Sequence, residues 1–262
     1  MKIDSKNKKI VIFSDVHNDI HRVKNIIKEE SADLNICLGD WFDSFEYDTS
    51  KDYKETASYL LEYLNNDKNI SLWGNHDLHY IADNKSTLCS GYENWKYIDI
   101  DGVIANNRGN VKNKLKWFIR IDDWLCTHAG LHANHLPAVF NLKTNENIND
   151  DIDNFLSSQS LIADIKLNTN ERFWFWEAGR ARGGRARFGG IVWLDFNREF
   201  DPIDNVKQIV GHTPRYYHEI ECHKTEGYLD ALDGSNICID TGLNQYITIT
   251  DGKMERKYYN DL

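Results

Sequence analysis

Lys9-Ile10-Val11-Ile12-Phe13-Ser14-Asp15-Val16-His17 begins as a short apolar run and ends on an aspartate and a histidine two positions apart. A brief apolar run stopped by polar residues reads as a buried strand. The same grammar recurs four times. Leu34-Asn35-Ile36-Cys37-Leu38 leads into Gly39-Asp40-Trp41-Phe42-Asp43, and Ile70-Ser71-Leu72-Trp73 into Gly74-Asn75-His76-Asp77. Trp124-Leu125-Cys126 leads into Thr127-His128-Ala129-Gly130, and Gln208-Ile209-Val210 into Gly211-His212-Thr213. Between the first runs, Val23, Ile26 and Ile27 share one face of a helix near Ile20 to Glu29. A second helix, near Tyr53 to Leu64, aligns Tyr53, Ala57, Leu60, Leu61 and Leu64. Strand, helix, strand order implies parallel pairing. The fold class is therefore α/β, with Asp, Asn and His side chains gathered beyond the carboxyl ends of strands, where open sheets bind ligands.

The rest of the chain is less regular. From Leu78 to Asn113 the periodicity weakens, and residues 131–190 read as a helical cap inserted into a single domain spanning 1–262. The aromatic run Phe173-Trp174-Phe175-Trp176 is expected to pack in a core rather than to stack on bases. After Val206 come short strands, Asn236 to Asp240, Tyr246 to Thr250 and Met254 to Tyr259, joined by turns such as Asp251-Gly252. A net charge of -10 argues against a general nucleic-acid surface, which needs a basic stripe. Five cysteines without a CxxC pair fit a reducing cytoplasm, and no apolar run is long enough to span a membrane.

The five polar motifs suit phosphate-ester hydrolysis. Nucleophile and ester are both anionic, so a catalyst must neutralise charge and make hydroxide at neutral pH; two cations about 3.5–4 Å apart do both. Asp15 and His17, two apart on an extended segment, point to one side and bind the first metal. Asp40 bridges, and Asn75, His128 and His212 complete the second. This mixture of oxygen and nitrogen donors suits divalent transition metals, manganese foremost, with iron, zinc or nickel as alternatives. Asn75, a neutral donor next to the phosphate, leaves the metals electrophilic. His76, held by Asp43, is placed to protonate the leaving oxygen. His21, His79, His132, His135, His218 and His223 read as structural or solvated.

The ordered set resembles the calcineurin-like metallophosphoesterase superfamily, and within it the phosphoprotein phosphatase branch. The resemblance covers nearly the whole chain. It implies a four-layer αββα sandwich of two mixed sheets, a binuclear site with the ligands named above, and the His76-Asp43 pair. In that branch the second motif usually reads GDxxDRG, its arginine gripping phosphate; here Ser44-Phe45 stands where Arg-Gly is usual. The missing cation is sought in the basic island Arg180 to Arg187, with Arg182 as the phosphate contact, Arg198 a weaker candidate, and Arg185 and Arg187 undecided.

The function expected is metal-dependent hydrolysis of a phosphate monoester, on a phosphoprotein or small ester, by a hydroxide bridging the metals. A dinucleoside polyphosphate hydrolase shares the ligands and is the alternative. A nuclease is disfavoured by charge, and an inert binding module by the full ligand set.

Overall fold

The computed structural model describes residues 1–44, 48–142, 144–214, 229–231 and 234–259. Phe45, His218 and His223 lie outside them. In chain order the strands are β1 (Lys2–Ile3), β2 (Lys9–Phe13), β3 (Leu34–Cys37), β4 (Asn69–Ser71), β5 (Ile119–Ile121), β6 (Trp124–Cys126), β7 (Lys207–Val210), β8 (Leu229–Ala231), β9 (Asn236–Cys238), β10 (Gln245–Thr250) and β11 (Lys253–Tyr258). The helices are α1 (Ile20–Glu30), α2 (Ser50–Asn65), α3 (Asn75–Ile81), α4 (Asn94–Ile104), α5 (Arg108–Lys114) and α6 (Ile148–Asn168).

Two mixed sheets result. One runs β11-β10-β2-β3-β4, with β2, β3 and β4 parallel and β10 antiparallel to both neighbours; the other runs β1-β5-β6-β7-β9-β8. Strand alternation explains the layering. Ile10, Ile12, Ile36, Ile247 and Ile249 of the first sheet share one buried cluster with Ile119, Ile121, Ile209 and Ile237 of the second, so these faces meet. Val11 and Phe13, pointing the other way, pack with Val23 and Ile26 of α1 and Leu60 and Tyr63 of α2. On the second sheet's outer face, Arg120 of β5 reaches Asp153 of α6 with both carboxylate oxygens at 2.8 Å from Nε. Helices thus cover both outer faces, as the resemblance implied.

Two boundaries differ from the sequence reading. Helix α2 starts a turn before Tyr53, because the Asp52 carboxylate accepts the Thr49 N–H at 2.7 Å and its hydroxyl at 2.6 Å, closing a capping box. The stretch from Leu78 to Asn113 is not featureless: it forms most of α3, all of α4 and all but the last residue of α5. Ile100 and Ile104 of α4 are buried in the helix-side core while Ile98 stays exposed, which blurs the helical periodicity. In the aromatic run, Phe175 and Trp176 are buried, and Trp176 stacks on Trp117.

Glu30, at the end of α1, ties three elements. It takes Lys9 Nζ of β2 at 2.5 Å and the Tyr246 hydroxyl of β10 at 2.6 Å. Burial pushes its pKa up, but these two partners outweigh it and hold the carboxyl below 4.5. A depressed carboxylate stabilises the fold above its unfolded pKa and loses that contribution as pH falls through the folded one. Glu30→Gln should therefore cost about 1–2 kcal/mol at pH 7, allowing for the half-exposed Lys9. Urea unfolding should show the gap to wild type closing below pH 4.5; an equal gap at both pH values would remove the charge from the explanation.

Candidate active site

The loops after β2, β3, β6 and β7 and the first turn of α3 meet at one place beyond the strand ends. Asp15 and His17 come from the first loop, Asp40 and Asp43 from the second, Asn75 and His76 from α3, His128 from the loop after β6 and His212 from that after β7. Asp15 and His17 are not on an extended segment. Asp15, His17, Asp40, Asp43 and His212 all have positive φ, between 44° and 67°. Side chains converge because each loop doubles back in the left-handed region, which Asp, Asn and His tolerate better than most residues. Close approach also needs glycine: a Cβ on Gly74 would strike Asp40, and one on Gly211 would strike Ser14 and Asp15.

Two groups of potential ligands share Asp40. Asp15, His17 and Asp40 form one and Asp40, His128 and His212 the other, with the ligand atoms of each group within 4.8 Å of one another. The imidazoles are aimed by their other nitrogen. His17 Nδ1 lies 3.0 Å from the Phe42 carbonyl and His128 Nδ1 2.9 Å from the Leu38 carbonyl, so each N–H is spent on backbone and Nε2 faces the group. The Asn75 carboxamide sits among these donors: its Oδ1 is 3.0 Å from His128 Nε2, and the amide head also borders His212 Nδ1 and Asp40 Oδ2. Lone pairs crowding one point, over two buried aspartates, are the signature of a cation cradle. The residues fit a pair of divalent ions.

Electrostatics agree. Burial pushes Asp15 up, with Asp40 adding to it, whereas burial on Asp40 is overcome by His128 and His76, which hold it well below the carboxylate range. Burial lowers His128, yet Asp40 outweighs this and raises it to about 9; proton and cation compete for the same lone pair. His212 goes the other way, lowered by burial and by His128 and Arg182. Asp77, given no role by sequence reasoning, accepts the N–H groups of Asp40 at 2.9 Å, Trp41 at 2.7 Å and Gly74 at 3.0 Å. It binds the loop carrying Asp40 to the start of α3.

His76 Nδ1 lies 2.9 Å from Asp43 Oδ2. Burial lowers His76, but Asp40, Cys89 and the hydrogen bond to Asp43 raise it well above its ordinary value. Asp43 is held well below the usual range, with burial outweighed by the hydrogen bond from His76 and by the neighbouring His79 imidazole. Among the residues that sequence reasoning passed over, His79, Tyr80, Cys89 and Lys96 all surround this pair. His79 had a readable signal, since it stands three residues after His76 on α3 and so shares its face.

Arg182 is brought to the site and Arg198 is not. Arg182 Nε pairs with Asp195 Oδ2 at 2.9 Å, and Nη2 donates to Thr213 Oγ1 at 3.2 Å and to the His212 carbonyl at 3.3 Å. The buried Glu199 carboxylate fixes the loop base by accepting the N–H groups of Ala181 and Gly189, both at 2.9 Å. Arg185 and Arg187 are exposed. Arg198 is exposed too, and its backbone N–H, bonded to Asp195 Oδ1 at 2.9 Å, closes a turn.

Residues 8–216 match the calcineurin-like phosphoesterase family, and the chain belongs to it. Among curated proteins no sequence matches. The chain is similar in structure to a cold-active protein-tyrosine phosphatase of a psychrophilic Shewanella species, with a TM-score of 0.56 at 16% identity over 98% of this chain and 79% of that one. It is also similar to a protein serine/threonine phosphatase from Saccharomyces cerevisiae, with a TM-score of 0.50 at 15% identity over 100% and 84% of the two chains. At such identity the likeness extends to the fold. Family membership makes the protein a hydrolase of phosphate esters. Among the described residues, no helix is long and apolar enough to cross a membrane.

Proposed function

We propose that the protein is a two-metal phosphomonoesterase of the phosphoprotein phosphatase type. The observation that carries this is the pairing of two ligand groups through a shared Asp40 with a His76-Asp43 dyad beside them, the His76 backbone N–H donating to Asp40 Oδ1 at 2.8 Å. Asp15, His17 and Asp40 would hold one ion; Asp40, Asn75, His128 and His212 the other. When bound, the ions neutralise phosphate charge and acidify water. The chain's own residues do the rest. His76 donates its proton to the departing oxygen, and Asp43 fixes the ring and stabilises its charge. That contribution persists when Asp40 is engaged by cations. Arg182, oriented by Asp195 and Thr213, supplies planar N–H donors beside His212 for the phosphate oxygens.

The dyad favours a monoester over a dinucleoside polyphosphate. An alkoxide leaves a phosphoserine only with a proton, whereas a nucleotide phosphate, with a second pKa of about 6, departs largely without one. Manganese is the ion of first choice for this donor set. Hydrolysis should be tested across nitrophenyl phosphate, bis-nitrophenyl phosphate, a phosphopeptide and diadenosine tetraphosphate, after chelation and after adding back manganese. Monoester cleavage that needs the metal is expected. Full activity after rigorous chelation, or preference for the dinucleotide, would overturn the reading.

Arg182→Ala should lower kcat/KM by roughly 10-fold or more, since a charge-assisted hydrogen bond is worth about 1.5–3 kcal/mol. Arg182→Lys should recover part of the loss, and Arg185→Ala and Arg187→Ala should lose much less. Equal efficiency and unchanged phosphate inhibition in all of them would return the island to the status of a solvated loop.

A further inference from the structure

A second set of donors adjoins the dyad. Cys89 follows α3 and places Sγ 3.7 Å from His76 Nδ1 and 3.5 Å from His79 Nδ1. Asp43 divides its oxygens. Oδ1 accepts the Tyr80 hydroxyl at 2.7 Å and faces Lys96 Nζ at 3.4 Å, while Oδ2 is left to His76 at 2.9 Å and His79 Nε2 at 3.4 Å. The ligand atoms of Asp43, His76 and Cys89 lie within 4.8 Å of one another. Tetrahedral zinc, with donors at roughly 2.0–2.3 Å, sets them about 3.3–3.7 Å apart. Cys89 and His76 already meet that spacing, and the Asp43 contact has only to widen by a few tenths of an ångström. A separate observation points the same way: His79 Nε2 is buried, is aimed at Asp43 Oδ2, and makes no hydrogen bond.

We propose that Asp43, His76 and Cys89 form an inhibitory site for a borderline-soft divalent cation, zinc foremost, distinct from the two groups that share Asp40. Its effect on turnover rests on the leaving-group role given to His76; its binding does not. The sulfur donor sets its preference apart, because the Asp40 groups offer only oxygen and nitrogen. Cys89 is half-buried between exposed Leu88 and Ser90, which gives an ion a way in. On binding, zinc replaces the Cys89 thiol proton and the proton on His76 Nδ1, and both pass to solvent. Nδ1 then carries the metal in place of its hydrogen bond to Asp43. The ring is no longer the carboxylate-held imidazolium that leaving-group protonation requires.

The test uses the manganese-loaded protein titrated with cobalt and followed in the near ultraviolet, where only thiolate ligation gives sulfur-to-cobalt charge transfer. Cobalt entering the Asp40 groups adds no such band. Wild type should show the band and Cys89→Ser should lack it. Serine keeps a hydroxyl beside the ring, and Asp40 and Asp43 still hold the charge on His76, so Cys89→Ser should keep most of the manganese-supported hydrolysis. It should need at least roughly 10–100-fold more zinc for half-inhibition, the range for losing even a supporting partner of a metal site. No band in wild type, or one that survives in Cys89→Ser, overturns the site. A Cys89-dependent band with equal zinc inhibition of both proteins overturns the inhibitory role. Failure of the general-acid reading would show separately, as turnover retained by His76→Asn while the wild-type protein still shows the Cys89-dependent cobalt band.

Discussion

Asp40→Asn is expected to abolish turnover and to lower bound metal below two ions per chain. Asp40 is the side chain common to both ligand groups, so its charge offsets the repulsion between two cations as that of no other described residue does. The neutral amide keeps the shape, and its backbone remains clamped by Asp77 through a 2.9 Å hydrogen bond. Loss of several kcal/mol of charge stabilisation corresponds to roughly 10³-fold or more in rate. His17→Asn or His128→Asn should each weaken one ion and leave the other. Metal analysis of the purified variants, beside initial rates on an aryl phosphate, distinguishes these patterns. Two tightly held ions and normal turnover in Asp40→Asn would show that Asp40 is not the bridge.

How far the sequence could be read depended on whether a signal was local. Strands β2, β3, β6 and β7 end in short apolar stretches, broken within β3 only by Asn35, because both their faces are largely covered, and such stretches stand out without any tertiary knowledge. The motifs that follow them are equally visible. The backbone that makes those motifs converge is not. A left-handed conformation at Asp15, His17, Asp40, Asp43 and His212 is imposed by packing between loops from different strands, and residue type only permits it. Asp77 was hidden for the same reason: its three N–H donors come from two separated loops. Cys89 reaches His76 across a connection with no periodicity, and Arg182 reaches His212 only because Glu199 and Asp195 tie its loop down. Sequence spacing carries no record of those contacts.

His76→Asn is expected to retain both metals yet lose turnover by roughly 10²–10⁴-fold on an alkyl phosphate such as a phosphoserine peptide, the usual worth of general acid catalysis. His76 stands outside both ligand groups that share Asp40, so its removal leaves the cation cradle intact. Asparagine preserves polarity and approximate length but cannot give up a proton at neutral pH. The size of the defect should follow the leaving group. Nitrophenolate is stable enough to depart unprotonated, and its hydrolysis should suffer least; a serine alkoxide depends on the proton, and its hydrolysis should suffer most. Asp43→Asn should show the same ordering with a smaller loss, since the ring keeps its proton-bearing nitrogen but loses the carboxylate 2.9 Å away that orients and charges it. A linear free-energy plot of rate against leaving-group pKa would accordingly be steeper for both variants than for wild type. Parallel plots would mean that the proton comes from elsewhere and that the dyad only shapes the site, while loss of metal from His76→Asn would move the residue into the ligand set.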